Sequence, residues 1–228
     1  MSKKNGSKAS VFFTENYFML SYFMKKNIEV EVRGVLDKDQ YNKTKKLFKK
    51  IASFKENKNR ILIDYSTFLP GEGIRDRQKD IRVRVTNGIP EIVVKLGSWG
   101  GSESRRELSF KGKEGDFETL VEIFGQLGFI KGTLAKRDAL VFNYKDIEFA
   151  LVKTPGQHYY FEAEKMAHKE ENFAKVENEI RKVCKELELE TVDKEGFFQF
   201  IDELNKTDNS IFEFKDYKED YFKDKFGI

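Results

Sequence analysis

Two pairs of acidic residues bracket a long charged region of the sequence. Glu29 and Glu31 are separated by one residue, and so are Glu162 and Glu164. Residues two apart on a β-strand point to the same face, so each pair would place two carboxylates side by side. Neighbouring carboxylates repel each other unless a cation lies between them, and Mg²⁺ and Mn²⁺ prefer such oxygen ligands. The two pairs are therefore candidate ligands for a hard divalent metal ion.

Basic residues between the acidic pairs lie on strand-like segments, several with the same spacing of two. The candidate anion-binding residues are Arg33, Arg82, Arg84, Lys95, Arg105 and either Lys136 or Arg137. Arginine can bind phosphate oxygens through two parallel hydrogen bonds, and lysine acts as a point charge. For any one strand, a solvated face with cross-strand ion pairs is the simpler interpretation. Because five strands share the pattern, we favour one cavity that holds a ligand with many negative charges, such as a triphosphate.

The composition limits the kinds of site that the chain can build. Its 228 residues include two histidines and one cysteine, so a cysteine-based zinc cluster is excluded and a metal would need carboxylates. The net charge of +3 does not require nucleic acid as a partner, and none is expected. No segment approaches the roughly 18 apolar residues of a membrane-spanning helix, so we expect no membrane association and a cytoplasmic location.

Period-two alternation predicts most of the elements that would position these side chains. In residues 28–35, Glu29, Glu31 and Arg33 alternate with apolar residues, which is typical of a strand. Further strands are predicted at 60–66, 80–86, 91–97, 104–112, twice within 129–152, and at 157–166. Asn87-Gly88 predicts a tight turn between two of them. Most connections are too short for parallel crossovers, so we expect an α+β fold, an antiparallel eight-stranded β-barrel-like tunnel with flanking helices.

Helical spacing predicts four helices around these strands. The first runs from Asp37, a candidate N-cap, to about Phe54, with Leu47, Ile51 and Phe54 on its apolar stripe. The others are predicted at 115–127, 169–189 and 194–205. Residues 210–228 mix charged and aromatic side chains and receive no assignment.

The predicted domain organisation has three parts. Residues 1–23 are an N-terminal extension, 24–190 form the tunnel domain, and 191–228 are a C-terminal helix and tail packing on that domain. The aromatic segments near the two termini could pack together or form a homodimer contact, and the sequence leaves both open.

The order of these motifs resembles the CYTH family, also called triphosphate tunnel metalloenzymes. Residues 29–33 (Glu-Val-Glu-Val-Arg) are similar to the family's opening Glu-x-Glu-x-Lys strand, and 82–84 to its Arg-x-Arg strand. Residues 162–164 are similar to its closing Glu-x-Glu. Similar elements lie between them in the same order, at 64–66, 93–95, 105–107 and 136–137. The resemblance runs from about residue 28 to 166, which is most of the chain.

The resemblance implies a triphosphatase that acts on phosphoanhydride bonds with Mg²⁺ or Mn²⁺ as cofactor. The implied catalytic residues are Glu29, Glu31 and Arg33. The implied metal ligands are Glu29, Glu31, Glu162 and Glu164. The implied substrate-binding residues are Arg33, Arg82, Arg84, Lys95, Arg105 and Arg137.

Two departures from the family pattern keep other functions open. Arg33 stands where the family has lysine, so binding is its expected role, and Val152 stands where the family has an acidic metal ligand. Hydrolysis of inorganic or small organic triphosphate fits best, because no base-recognition motif is present. The alternatives are a class IV-type adenylate cyclase, which converts ATP to cyclic AMP and pyrophosphate, and a non-catalytic binder of polyphosphate or nucleotides, which Val152 favours.

Overall fold

A computed structural model describes residues 28–100, 102–167 and 172–227, and the predicted extension 1–23 lies outside this part of the chain. The described strands are β1 (Ile28–Leu36), β2 (Ser53–Asp64), β3 (Lys79–Thr86), β4 (Ile89–Leu96), β5 (Ser102–Lys111), β6 (Lys131–Tyr144), β7 (Ile147–Lys153), β8 (Tyr159–Ala167) and β9 (Ser210–Glu213). The described helices are α1 (Lys38–Ile51), α2 (Phe117–Gln126), α3 (Phe173–Glu186), α4 (Lys194–Thr207) and α5 (Tyr221–Phe226).

Eight of the strands form a closed ring. They follow the order β2-β3-β4-β5-β1-β8-β7-β6, and β6 pairs again with β2 to complete the circle. Every pairing is antiparallel. The predicted α+β architecture with eight antiparallel strands around an interior is therefore confirmed. The ninth strand, β9, pairs with residues 131–134 at the start of β6, so the prediction that 157–166 is the last strand was wrong.

The apolar faces of the strands point outward, where helices cover them. On β1, Val30 and Val32 are buried in a core that also contains Phe48 of α1 and Ile180 of α3. A second core lies under α2 and the C-terminal tail. Because successive strand residues face opposite sides, burying the apolar residues outside the ring leaves the charged residues inside it. The alternation seen in the sequence thus becomes an apolar exterior layer and a charged interior.

The start of α1 confirms one prediction, and its buried face contradicts another. Asp37 caps the helix, since its carboxylate accepts a hydrogen bond from the Gln40 backbone at 2.7 Å and the Gln40 side chain accepts one from the Asp37 backbone at 2.8 Å. The predicted stripe of Leu47, Ile51 and Phe54 was wrong. Ile51 and Phe54 are exposed, and Phe54 already belongs to β2. The helix instead buries Tyr41, Thr44 and Phe48.

Two-residue turns set the register of two hairpins. Asn87 and Gly88 have φ of 50° and 84°, and they join paired Thr86 and Ile89 as predicted. Lys145 and Asp146, with φ of 51° and 59°, join β6 to β7 in the same way.

The helix α4 lies across one mouth of the ring. Because neighbouring strands of the ring run antiparallel, alternate connections lie at opposite ends of it. The loops β2–β3, β4–β5 and β7–β8 lie at the end that α4 covers. Contacts join α4 and its C-cap Asp208 to all three loops: Arg75 to Glu195 at 2.8 Å, Trp99 to Phe197 with ring centroids 4.9 Å apart, and His158 to Asp208 at 3.1 Å. We call this end the capped mouth. None of the helices in the described ranges has the length and apolar character needed to cross a membrane.

The close packing of β1 gives a test of the fold. A Cβ atom on Gly34 would lie 2.0 Å from the Glu190 carbonyl oxygen and 2.3 Å from the Phe161 ring. We expect Gly34→Ala to lower the free energy of unfolding by about 1–3 kcal/mol or more, because backbone cannot move aside easily. Urea unfolding measures the change. Gly73→Ala is the control, since nothing lies within 4 Å of its added Cβ, and an equal midpoint for both variants would contradict the packing of β1.

Candidate functional site

The inner faces of β1–β8 enclose a cavity of about 520 Å³, which we call the tunnel cavity. A volume of this size suits a small-molecule ligand. Its charged lining residues are Glu29, Glu31, Arg33, Lys55, Lys58, Arg60, Asp64, Arg77, Arg82, Arg84, Lys95, Glu107, Arg137, Glu148, Glu162, Glu164 and Lys165. The structure thus brings every predicted metal ligand, and every predicted phosphate-binding residue except Arg105, to one cavity.

A cluster of three carboxylates lies on the β1 and β8 wall of the tunnel cavity. Glu31 of β1 is directly opposite Glu164 of β8, and Arg33 is opposite Glu162. One carboxylate oxygen from each of Glu31, Glu162 and Glu164 lies within 4.8 Å of the others. We call these residues the acid cluster. Glu29, the fourth predicted metal ligand, accepts a hydrogen bond from Lys95 at 2.6 Å and lies beside the cluster.

The two carboxylates of β8 have opposite electrostatic environments. Burial raises the pKa of Glu164 to about 7, and the negative charges of Glu29 and Glu162 contribute to this rise. Burial would also raise the pKa of Glu162, but the positive charges of Arg33 and other cations outweigh it and lower the pKa. Negative charge is therefore in excess at Glu164, where a divalent cation would relieve the repulsion.

Most of the predicted cations already have carboxylate partners. Arg33 contacts Glu31 at 2.6 Å and Glu162 at 3.3 Å. Lys95 contacts Glu29 at 2.6 Å and Glu107 at 3.1 Å. Burial would lower the pKa of Lys95, but the surrounding carboxylates, Glu31 and Glu29 foremost, raise it. Arg84 contacts Glu91, which is not among the lining residues of the cavity, at 2.7 Å. These cations are therefore fixed in place by the protein's own acids.

A buried ion network supports the wall near the capped mouth. Asp80 is fully buried and binds Arg77, Arg82 and Arg105. Burial would raise the pKa of Asp80, but the three arginines outweigh it and lower the pKa. Arg105 is 2% exposed and directly opposite Glu29, so it lies on the inward side of the ring, where Asp80 binds it, but it is not among the residues that line the cavity. Arg77, whose guanidinium lies 4.2 Å from the centre of the Trp99 ring, comes from a loop with no periodicity to reveal it.

Sequence reasoning missed Arg60 and Glu148, although alternation contained a signal for both. Ile61 and Ile63 are buried in the outer core, so Arg60 on the same strand must face inward. Phe149 is likewise buried outside, so Glu148 faces the cavity, where Lys55 and Lys58 bind it. Alternation shows which residues of a strand share a face, but it does not show which face lines the cavity until the strands of the ring are known.

The structure distinguishes between the alternatives Lys136 and Arg137. Arg137 lines the tunnel cavity, and its guanidinium donates to Asn209 Oδ1 at 2.7 Å and to the Lys136 carbonyl at 2.7 Å. The Lys136 ammonium lies 5.9 Å from the centre of the Phe226 ring, away from the cavity.

Apolar residues line the part of the cavity where the family pattern has an acid. Val152 packs with Val141, Ala150 and Tyr160, and Phe200 of α4 lies against this group. Glu148 is the only acidic residue of β7 and lies four positions away along the strand, roughly 13 Å. The carboxylate missing at Val152 is therefore not replaced by another residue of β7.

Comparison with solved structures identifies the fold. The PH1819 protein of Pyrococcus horikoshii OT3 superimposes with a TM-score of 0.60 and 19% identity, covering 77% of this chain and 98% of that one. A proposed adenylate cyclase of Vibrio parahaemolyticus gives 0.51, 17% identity, and coverage of 71% and 89%. HpAC1 of Hippeastrum, studied as an adenylyl cyclase and described as having a dominant triphosphatase activity, gives 0.51, 10% identity, and coverage of 76% and 95%.

These neighbours share the fold of this chain, and two of them are described as adenylyl cyclases, so the resemblance that the motifs predicted is confirmed at the level of the fold. No protein-family model and no curated protein sequence matches the chain.

The raised pKa of Glu164 predicts how stability depends on pH. In metal-free protein the raised pKa lets the folded state hold this proton up to about pH 7, whereas the unfolded chain loses it near the ordinary glutamate pKa of 4.5. The stability that the bound proton contributes is therefore present below about pH 4.5 and is lost as the pH rises to about 7. Between pH 5 and 7 the parent should lose about 1–3 kcal/mol more than Glu164→Gln, with allowance for partial solvent access.

Urea unfolding with a chelator present, at several pH values, measures this difference. Glu186→Gln is the control, because its exposed carboxylate binds only Lys145 at the surface. Parallel pH profiles for the parent and Glu164→Gln would show that Glu164 is ionised throughout.

Proposed function

We propose that the protein is a metal-dependent triphosphatase that hydrolyses a phosphoanhydride bond of a triphosphate bound in the tunnel cavity. The observation that carries the proposal is the presence of the acid cluster and several cations in one small cavity. Inorganic triphosphate or a small organic triphosphate is the proposed substrate. Small-molecule phosphate chemistry also fits the proposed cytoplasmic location.

The acid cluster has the chemistry that a hard divalent cation requires. Glu31, Glu162 and Glu164 offer only oxygen ligands, and burial together with the negative charges of Glu29 and Glu162 raises the pKa of Glu164. These three residues would hold Mg²⁺ or Mn²⁺, and Glu29 would join them only by leaving Lys95. When bound, such an ion polarises phosphate oxygens and offsets their charge.

The protein's own side chains would perform the remaining tasks. The cations of the cavity bind the phosphates and stabilise the negative charge on the phosphoryl group being transferred. Arg33 remains protonated at any working pH, so it serves in binding and keeps the carboxylates of Glu31 and Glu162 in position. A carboxylate of the cluster orients water for attack on the terminal phosphorus, and the bond to the bridging oxygen breaks to release phosphate.

One structural neighbour is described as having the activity that we propose. HpAC1 shares the fold and is described as having a dominant triphosphatase activity. At such low identity the comparison supports the fold, and the argument for hydrolysis depends on the charged residues themselves.

Cyclisation of ATP is the second candidate. The Vibrio neighbour is a proposed adenylate cyclase. In addition, Tyr160 and Phe200, with ring centroids 5.3 Å apart, line an apolar part of the tunnel cavity that could hold the organic part of a nucleotide.

Product analysis separates the two reactions. Incubation with ATP and Mn²⁺ should release orthophosphate and ADP without cyclic AMP, because we propose water as the nucleophile. Cyclic AMP and pyrophosphate in equal amounts would establish the cyclase instead.

Removing one carboxylate of the acid cluster tests the proposed enzyme. Glu31→Gln should lower the rate constant for phosphate release from inorganic triphosphate by roughly 100-fold or more, because a metal ligand is lost while the side-chain shape is kept. A phosphate-release assay with Mg²⁺ and with Mn²⁺ measures this, and Glu186→Gln is the control. Equal rates for Glu31→Gln and the parent would exclude the acid cluster as the active site. Thermal stabilisation of the parent by triphosphate without turnover would instead identify a non-catalytic binder.

A further inference from the structure

The cations that line the tunnel cavity fall into two groups. Most of them, among them Arg33, Arg84 and Lys95, form ion pairs with carboxylates of the protein. Within the described ranges, Arg60 and Arg137 are the cavity-lining cations for which no such ion pair is formed. These two side chains therefore carry positive charge that the surrounding residues do not directly neutralise.

Neutral groups hold both guanidinium groups in position. The Arg60 Nε donates to the Thr86 hydroxyl oxygen at 2.9 Å, which leaves its two terminal nitrogens without a hydrogen-bond partner in the described part of the chain. Arg137 donates to the Asn209 side chain and to a backbone carbonyl. The two groups are thus fixed in direction, as a binding site requires, while their charge stays available.

The register places these two arginines side by side. Arg60 of β2 is directly opposite Arg137 of β6, and both side chains are half-buried. Like charges directly opposite each other on neighbouring strands are destabilising. Arg84 and Arg82 add positive charge near Arg60, while Glu162 and Glu164 offset part of it without forming an ion pair with Arg60. A bound anion would offset the positive charge that the register brings to this part of the cavity.

We propose that Arg60 and Arg137 form the principal phosphate-binding pair of the tunnel cavity. The inference rests on the proposed function, since it names the residues that would grip the triphosphate. Arg82 and Arg84 have a different main role, because each is engaged by an acid: Arg82 binds Asp80 at 2.6 Å, and Arg84 binds Glu91. An incoming phosphate would have to compete with these carboxylates, whereas Arg60 and Arg137 offer open positions.

Melting temperature and calorimetric affinity for inorganic triphosphate, with and without Mg²⁺, test the proposal. Without ligand, Arg60→Gln should melt at the same temperature as the parent or higher, because an uncompensated charge is removed. Its dissociation constant for triphosphate should rise 10- to 100-fold, and the ligand-induced rise in melting temperature should largely disappear. Arg137→Gln should show the same loss of affinity. Arg181→Gln, which removes an arginine on the outer helix α3, is the control and should bind like the parent.

The possible outcomes distinguish failure of the arginine-pair inference from failure of the triphosphatase proposal. Arg60→Gln with parental affinity, or with a clearly lower melting temperature in the absence of ligand, would overturn the inference and leave the triphosphatase proposal standing. The parent could also bind triphosphate without hydrolysing it, while Arg60→Gln does not bind it. That result would support the inference and overturn the proposal that the protein is a triphosphatase. A parent that does not bind triphosphate would overturn both.

Discussion

Mutual compensation of charges inside the ring is the constraint on which the rest of the structure depends. Burying carboxylates or guanidinium groups alone would cost several kcal/mol each, so opposite charges must be brought together from separate strands. Asp80 with its three arginines and Lys95 with its two glutamates show this compensation directly. The closed ring brings most of these acids and bases together, and the apolar helices outside supply the burial that makes the closure favourable.

Within this balanced interior, two imbalances remain. Glu164 is buried beside the carboxylates of Glu29 and Glu162, and Arg60 and Arg137 form no ion pair with a carboxylate in the part of the chain that the structure describes. A divalent cation and a polyanion would correct both imbalances together, and a metal triphosphate complex supplies both. The charges of the cavity therefore suit a divalent cation and a polyanion bound together better than they suit either ligand alone.

Local alternation was enough to predict most of the ring, because strands that are apolar on one side and charged on the other have few ways to pack. It predicted β1, the hairpin at Asn87-Gly88 and the inward direction of both Glu-x-Glu motifs. Local alternation did not predict features that depend on contacts with residues far away in the sequence. The strand β9 is short and is fixed only by its edge contact with β6, and the buried face of α1 is set by what it packs against. Arg105 was expected to line the cavity, but Asp80, 25 residues earlier, binds it in the buried ion network inside the ring.

The position of α4 would limit the shape of any phosphate compound that the tunnel cavity accepts. With a helix seated over one opening, a long phosphate polymer cannot be drawn through the ring and cut at internal positions. Such a chain could only insert its tip, and the fragments would leave by the route of entry. Because α4 covers the capped mouth, the tunnel cavity is closed at one end, and it favours short molecules or the free ends of long ones.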